Sequence, residues 1–267
     1  CTNFANDLNL HLRISIPNDY AEINLSKKFG VDGAEAKELL IKLKKVSKKI
    51  GVSFHPGSQC MNPLAYKLAI TKTASLIKES SVIVDYFNVG GGFPSKYPGM
   101  EPKPLSKYFK VIDTEFSKYF GKNSDVILLS EPGRALVSNS MSLIVRVDLR
   151  KKNNLYINDG TYGYMHDAGV TGFTYPVKKF REEKKSKLIP FSFYGPTCDS
   201  NDFMKGPFLL PNNIKEGDYI ELGQLGAYGL TFRTKFNGFF SDNIFELADQ
   251  PIMSLYDASS KVKYLVA

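Results

Sequence analysis

Apolar and polar residues along the first half of the chain predict strands separated by helices. Short apolar runs, each followed by polar or glycine-rich residues, predict four strands at residues 8–16, 51–55, 82–89 and 126–130. Between these runs, apolar residues recur at helical spacing over residues 33–50, 64–80 and 107–119. Strands and helices that alternate at this spacing indicate βαβ units and a parallel sheet.

The pattern changes from about Leu136, where helical spacing gives way to short β-rich segments separated by Gly, Pro and Asn turns. These segments are predicted at residues 142–149, 155–157, 191–193, 219–222 and 245–247. The change predicts two domains, residues 1–136 of α/β type and residues 137–267 of all-β type.

Charge and composition narrow the class of protein. The 267 residues carry a formal net charge of +8, but the densest basic cluster, residues 42–49, lies on the polar face of a predicted helix, so we expect no nucleic-acid partner. The three cysteines form no CxxC pair. We therefore expect no disulfide framework, no metal site and a reducing, cytoplasmic location. No run of about 18 apolar residues occurs, and we expect no membrane partner.

The predicted strands of the first domain end in loops that carry candidate functional groups. These are His55 after one strand, Gly90, Gly91 and Gly92 after the next, and Glu131 and Arg134 after the last. Taken singly, each has an ordinary interpretation as a structural histidine, a tight turn or a surface ion pair. However, barrel enzymes commonly bind phosphate with the loops after their last strands. Glycine amides, a guanidinium, an imidazole and a carboxylate at one barrel mouth fit a pyridoxal phosphate site.

Six segments resemble, in order and approximate spacing, the ornithine/lysine decarboxylases of the alanine-racemase-like fold. They are residues 51–59, 88–94, 131–134, 158–163, 195–200 and 236–239. The last two are more similar to the ornithine branch than to the diaminopimelate or racemase branches. The resemblance covers nearly the whole chain. It implies the C-terminal half of a (β/α)8 barrel that binds pyridoxal 5'-phosphate, followed by a C-terminal β domain.

The resemblance also implies which residues bind the cofactor. Glu131 would keep the ring nitrogen protonated and His55 would stack on the ring face, so both would take part in catalysis. The other residues implied at the cofactor, most of them at its phosphate, are Ser58, Gly90, Gly91, Gly92, Gly133, Arg134 and Tyr228. Arg13, at the end of the first strand, matches a family position near the cofactor.

On the substrate side, the resemblance implies that Cys198 is the general acid that protonates the carbon losing carbon dioxide. Asp199 would bind the distal ammonium of the substrate, and Tyr162 and Phe236 would line its site. In the family, the positions of Tyr162, Cys198 and Asp199 reach the site from the partner subunit, which implies a homodimer with shared active sites. An isolated cysteine is commonly inert and an aspartate here commonly a turn residue. The ordered segments favour the functional interpretation.

Two features depart from the family pattern. The lysine that carries the cofactor lies on the first barrel strand in the family, and that segment is absent from this chain. We therefore expect that these residues alone neither fold well nor decarboxylate, because half a barrel leaves strand edges unpaired. Many members also carry an acidic residue past the Tyr-Gly motif. That position falls near Thr171, and Asp167 is close to it but not aligned.

The expected function is decarboxylation of L-ornithine, L-lysine or both, to putrescine or cadaverine, in polyamine biosynthesis. Alternative substrates are arginine, diaminopimelate and carboxynorspermidine. A different alternative is a catalytically inactive homologue, similar to the antizyme inhibitors, that binds a regulatory partner. The joint presence of Glu131, Arg134, Cys198 and Asp199 favours the enzyme.

Overall fold

The computed structural model describes residues 7–16, 19–122, 124–181, 186–246 and 249–255. The chain divides into two compact units. The first runs to Pro94 and includes Pro102–Gly133, and the second contains Ser95–Glu101 and all residues from Arg134 onward. The division between Gly133 and Arg134 falls just before the predicted boundary. The assignment of Ser95–Glu101 to the second unit has no counterpart in the sequence pattern.

The first unit is an α/β structure. Its strands are β1 (Asn9–Ile14), β2 (Ala21–Ile23), β3 (Lys49–Phe54), β4 (Ser58–Cys60), β5 (Tyr86–Asn88) and β6 (Ile127–Leu129), and its helices are α1 (Gly33–Val46), α2 (Leu64–Ser80) and α3 (Leu105–Phe120). Four strands form one sheet in the order β1, β3, β5, β6, and all neighbours in it are parallel. β2 and β4 form a separate antiparallel pair. The four strands and three helices predicted from the pattern are confirmed.

The core of the first unit lies between the parallel sheet and its helices. α2 buries Tyr66, Ile70 and Ile77, which are spaced by whole turns of the helix. α3 packs Phe116 against Phe87 of β5, with the ring centroids 5.9 Å apart. Each such side chain contributes about 1.5–3 kcal/mol when fully buried. This packing holds the strands, and therefore the loops at their ends, in fixed positions.

The second unit is mostly β-structure. It contains a short helix, α4 (Arg134–Val137), and the strands β7 (Leu143–Lys151), β8 (Asn154–Ile157), β9 (Val177–Lys179), β10 (Leu188–Tyr194), β11 (Phe203–Pro211) and β12 (Tyr219–Leu222). The strands form one sheet in the order β11, β10, β8, β7, β12, β9. In this sheet β8 and β10 are parallel to each other, and the other four neighbouring pairs are antiparallel. The predicted fold class, α/β followed by all-β, is confirmed.

Three strand assignments in the second unit differ from the sequence pattern. β11 was not predicted because Gly206 and Pro207 interrupt its apolar run, yet its Phe208 is buried against β10. β9 has only three residues and lies at the edge of the sheet. The strand predicted at residues 245–247 is wrong for Phe245, which lies outside any strand with its side chain 79% exposed. Leu247 lies outside the described residues.

Candidate active site

The carboxyl ends of the four parallel strands carry the residues predicted to bind the cofactor. Arg13 lies in β1, His55 follows β3, Gly90 follows β5 and Glu131 follows β6. Burial lowers the pKa of His55, the positive charge of Arg13 lowers it further, and the negative charge of Glu131 opposes both. Arg13 and Glu131 are therefore both close enough to His55 to influence its charge, at one edge of the sheet.

Residues Gly90–Gly92, here called the glycine loop, are fixed through their carbonyl oxygens. In chain order, these oxygens accept hydrogen bonds of 2.8, 2.7 and 2.8 Å from the Glu131 amide, the Tyr66 hydroxyl and the Cys60 amide. The last two amides of the loop donate no hydrogen bond to any described residue. Adjacent unpaired amides in a glycine-rich turn are a binding site for an anion such as phosphate.

The glycine loop has no room for side chains. A Cβ atom at Gly90 or Gly92 would lie 2.0 or 2.1 Å from a backbone carbonyl oxygen, and both residues have a positive φ, +67° and +88°. A Cβ atom at Gly91 would lie 3.1 Å from Nε2 of His55. The imidazole ring therefore stands directly beside the loop.

Hydrogen bonds from Gly57 and Asn88 orient the His55 ring and the Glu131 carboxylate at this edge. Nδ1 of His55 accepts a 3.0 Å hydrogen bond from the Gly57 amide, which together with the lowered pKa favours a neutral ring protonated at Nε2. Asn88 donates from Nδ2 to Oε1 of Glu131 at 2.7 Å, and its Oδ1 accepts the Gly90 amide at 2.8 Å. Asn88 thus connects the carboxylate to the glycine loop. It lies in one of the resembling segments, but the sequence assigned it no role.

The remaining residues predicted at the cofactor fall in different places. Ser58 opens β4 directly after Gly57, whose carbonyl oxygen is the one that approaches Gly92. Gly133 is the last residue of the first unit, whereas Arg134 and Tyr228 belong to the second. The guanidinium carbon of Arg134 lies 4.7 Å from the centroid of the Tyr228 ring, so these two do come together.

Arg134 is buried and holds an ion pair. Its Nη2 donates to Oδ2 of Asp167 at 2.9 Å, and its Nη1 donates to the Tyr97 hydroxyl at 2.9 Å. Its Nε is buried and has no hydrogen-bond partner among the described residues. A buried donor left unpaired costs about 1–3 kcal/mol, and an anion's oxygen would satisfy it. Asp167, the partner in this ion pair, is the carboxylate nearest the position past the Tyr-Gly motif where many family members carry an acidic residue.

Four predicted residues of the substrate site, Tyr162, Cys198, Asp199 and Phe236, form a group in the second unit that is here called the Cys198 cluster. The Tyr162 hydroxyl donates a hydrogen bond to Oδ2 of Asp199, and the centroids of the Tyr162 and Phe236 rings are 4.7 Å apart. The hydrogen bond from Tyr162 lowers the pKa of Asp199. The Cys198 thiol is exposed, and the Cys198 amide donates to Oδ1 of Asn237 at 3.2 Å.

Asp202 joins the two loops that carry the Cys198 cluster. This carboxylate, 1% exposed, accepts hydrogen bonds from the Thr161 amide at 2.8 Å and from the Thr197 amide and hydroxyl at 3.1 and 2.8 Å. A Cβ atom at Gly160 or Gly195 would lie 2.1 or 2.2 Å from its Oδ1. The sequence did not identify Asp202, because its partners become evident only when the two loops are known to meet.

A second carboxylate lies beside Asp202. Burial raises the pKa of Asp159 to about 6. The amides of Gly160 and Tyr164, each 2.8 Å from Oδ1, act against this rise, and the negative charge of Asp202 adds to it. The two loops of the Cys198 cluster therefore contact a buried carboxylate, Asp202, and a half-buried one, Asp159.

Neither a metal centre nor a membrane span is found in the parts of the chain that the structure describes. Within them, no three His, Cys, Asp or Glu side chains are grouped in a way that could hold a metal ion. Over the same residues, no helix has the length and apolarity needed to cross a bilayer.

Residues 2–138 match the protein family described as pyridoxal-dependent decarboxylase, pyridoxal binding domain. The chain belongs to this family. The resemblance to the ornithine/lysine decarboxylases is confirmed, and so is pyridoxal phosphate as the cofactor of this domain. The unpaired glycine-loop amides and the neutral imidazole of His55 are groups that fit such a phosphorylated aromatic cofactor.

Similar proteins include decarboxylases and an antizyme inhibitor. Antizyme inhibitor 2 from Xenopus laevis is 33% identical over 85% of this chain and 54% of its own length. Lysine/ornithine decarboxylase from Selenomonas ruminantium is 29% identical over 90% of this chain and 61% of its own. The crystal structure of the Paramecium bursaria Chlorella virus arginine decarboxylase superposes with a TM-score of 0.79 at 25% identity, over 90% of this chain and 66% of that one. The chain thus spans about half to two thirds of these relatives.

Proposed function

We propose that this pyridoxal-dependent decarboxylase acts on a basic amino acid, L-ornithine or L-lysine, and releases putrescine or cadaverine. The Cys198 cluster is the observation that carries the proposal. It holds a carboxylate that accepts a hydrogen bond from a tyrosine hydroxyl, next to an exposed thiol. An ionised carboxylate suits a distal ammonium group, and a neighbouring thiol suits a proton donor. We assign the reaction to polyamine biosynthesis in the cytoplasm, where free thiols such as Cys198 stay reduced.

Pyridoxal phosphate, when bound, supplies the electron sink that decarboxylation requires. The glycine-loop amides would bind its phosphate, the neutral His55 ring would stack on its aromatic face, and Glu131 would keep its ring nitrogen protonated. Asn88 supports this assignment because it restricts the Glu131 carboxylate to one orientation. Ser58, Gly133, Arg134, Tyr228 and Arg13 stay predictions from the resemblance.

On the substrate side, each residue has a separate task. Asp199 would bind and orient the distal ammonium through charge pairing. Tyr162 and Phe236, whose rings are in contact, would exclude water from the methylene chain. Cys198 would deliver a proton to the carbon that has lost carbon dioxide. One methylene changes binding by only about 1–3 kcal/mol, so a substrate panel must decide between ornithine and lysine.

We infer that the active form is a homodimer. The segment that follows the glycine-rich turn at residue 229 exposes a run of large apolar side chains, namely Phe232, Phe236, Phe239, Phe240, Ile244 and Phe245, at 46%, 41%, 47%, 36%, 67% and 79%. An exposed apolar surface of this kind marks an interaction site. Because Phe236 belongs to both this segment and the Cys198 cluster, a second copy bound here would bring its own residues to the cluster.

A regulatory protein without catalytic activity is the second candidate. It is favoured by the 33% identity to antizyme inhibitor 2. The Cys198 cluster argues for the enzyme, because a protein that only binds a partner has no use for a thiol beside an ionised carboxylate. The expectation that these residues alone neither fold well nor decarboxylate stays a prediction.

A substrate panel tests the proposed function. The longest natural chain that carries this sequence is saturated with pyridoxal phosphate and given ornithine, lysine, arginine, diaminopimelate or carboxynorspermidine, and the amine product is quantified by chromatography. We expect putrescine or cadaverine as the main product. Asp199→Asn should lower kcat/KM on ornithine about 100-fold, as expected for loss of a desolvated charge pair. Asp148→Asn, at an exposed pair with Arg146, is the control and should have no effect. Cofactor binding without any amine product would favour the regulatory candidate.

A further inference from the structure

A loop beside the Cys198 cluster is closed by a single arginine. Residues 233–242, here called the strap, begin at Arg233 and return to it. Arg233 donates from Nη1 to the Ser241 carbonyl oxygen and from Nη2 to Oδ1 of Asp242, both at 2.7 Å. Its guanidinium carbon lies 4.3 Å from the centroid of the Phe240 ring. The two ends of the strap are thus joined through the Arg233 side chain, which is only 15% exposed.

Arg233 and its neighbour also fix the strap to the loop that carries Tyr162. Nη1 of Arg233 donates to the Tyr164 hydroxyl at 2.6 Å. The amide and hydroxyl of Thr234 both donate to the Tyr162 carbonyl oxygen, at 2.8 and 3.0 Å. Arg233 therefore holds the side chain of Tyr164, and Thr234 holds the backbone of Tyr162.

The middle of the strap contacts two residues of the Cys198 cluster. Phe236 packs on the Tyr162 ring, and Oδ1 of Asn237 accepts the hydrogen bond of the Cys198 amide. Asn237 has a left-handed backbone with a φ of 53°, a conformation that its surroundings must hold in place. The strap therefore supports the backbone of Cys198 directly and supports Asp199 through Tyr162.

We propose that Arg233 is a positioning residue for the Cys198 cluster. It has no contact with Cys198 or Asp199 among the described residues, and it acts by closing and anchoring the strap. The inference rests on the proposed function for its kinetic readout only. Without the guanidinium, Phe236 and Asn237 lose their fixed positions, the Cys198 amide loses its acceptor, and Tyr162 loses its ring partner.

The kinetic test compares Arg233→Met with Arg150→Met in the longest natural chain, as the cofactor-loaded protein. Arg150 is a matched control because it too donates to backbone carbonyl oxygens and packs on a phenylalanine ring, Phe191, in the same unit. We expect kcat/KM on the preferred diamino acid to fall at least about tenfold for Arg233→Met and to change less than about twofold for Arg150→Met. Sedimentation confirms that both variants have the wild-type oligomeric state at the assay concentration.

A double variant separates positioning from general damage. Both substitutions remove the support that Asn237 gives to Cys198. If Arg233 acts through Asn237, the double variant Arg233→Met/Asn237→Ala should therefore have the kcat of the less active single variant within about twofold. Losses that multiply would overturn the proposal. If Arg233→Met fails to fold, Thr234→Val takes its place, because it removes one anchor and should give a smaller loss in the same assay.

The thiol provides a readout that needs no enzyme activity. The rate at which iodoacetamide alkylates Cys198 is measured by mass spectrometry on the peptide that contains it. We expect this rate to rise at least about threefold in Arg233→Met and to stay at the wild-type value in Arg150→Met. Wild-type alkylation and kinetics in Arg233→Met would overturn the proposal. If the wild type itself does not decarboxylate, the proposed function fails, and the alkylation rates still decide whether the strap positions the thiol.

Discussion

The two units hold their candidate functional groups by different means. In the first unit, the backbone positions these groups, because the parallel strands end at one edge of the sheet and the glycine loop is fixed through its carbonyl oxygens. In the second unit, polar side chains hold the loops together, chiefly the buried Asp202 and the partly buried Arg233. A site built from backbone tolerates changes in most nearby side chains but no side chain at its glycines. A site built from side chains depends on each buried polar residue.

The largest effect is expected for a side chain in the glycine loop. Gly90→Ala places a Cβ atom 2.0 Å from the carbonyl oxygen of Phe54 on a backbone with φ of +67°. We expect the free energy of unfolding to fall by about 4 kcal/mol or more, with loss of pyridoxal phosphate binding. Gly121→Ala is the matched control, because φ there is +84° and nothing lies within 4 Å. It should cost only about 1 kcal/mol in urea unfolding. Equal costs for both variants would contradict a tightly fitted loop.

A smaller but still large effect is expected at the carboxylate that joins the loops of the second unit. Asp202→Ala leaves three hydrogen-bond donors without their acceptor. We expect a loss of about 3 kcal/mol in the free energy of unfolding, because hydrogen bonds to charged groups contribute about 1.5–3 kcal/mol each and the site relaxes in part. Asp148→Ala, at an exposed position, should change it by less than about 0.5 kcal/mol. A loss at Asp202 no larger than at Asp148 would show that side chains do not hold these loops.

The smallest effect concerns pH and Asp159. Its pKa is about 6 in the folded protein against an ordinary value of 3.8, so folding favours its protonated form. The contribution of protonated Asp159 to the free energy of unfolding of the wild type is fully present below about pH 4, and it is lost as the pH rises through 6. Asp159→Asn removes the titration. The variant should therefore gain stability relative to the wild type by about 2 kcal/mol between pH 4 and 7, measured by thermal unfolding. A difference between the two proteins that does not change with pH would mean that folding does not raise the pKa of Asp159.

The contrast between the units also explains what the sequence predicted. His55 and Glu131 were identified because they follow apolar strands, and strand ends can be recognised from local pattern alone. Cys198 and Asp199 were identified only through resemblance to a family. Asp202 and Arg233 were missed because the partner that joins each of them to a second loop lies far away in sequence, Thr161 at 41 residues from Asp202 and Tyr164 at 69 residues from Arg233. No periodicity connects such pairs, and only the folded chain brings them together.

The most direct test of the account is whether two copies of the chain complement each other. Glu131→Gln removes the carboxylate of the first unit that is proposed to keep the cofactor ring nitrogen protonated, and Cys198→Ala removes the proposed proton donor of the second. Each variant of the longest natural chain should be at least about 100-fold less active than the wild type. After subunit exchange in an equal mixture, mixed dimers with one intact shared site should restore about a quarter of the wild-type activity. A mixture no more active than either variant, with mixed dimers demonstrated by differential tagging, would contradict a decarboxylation site shared between two copies.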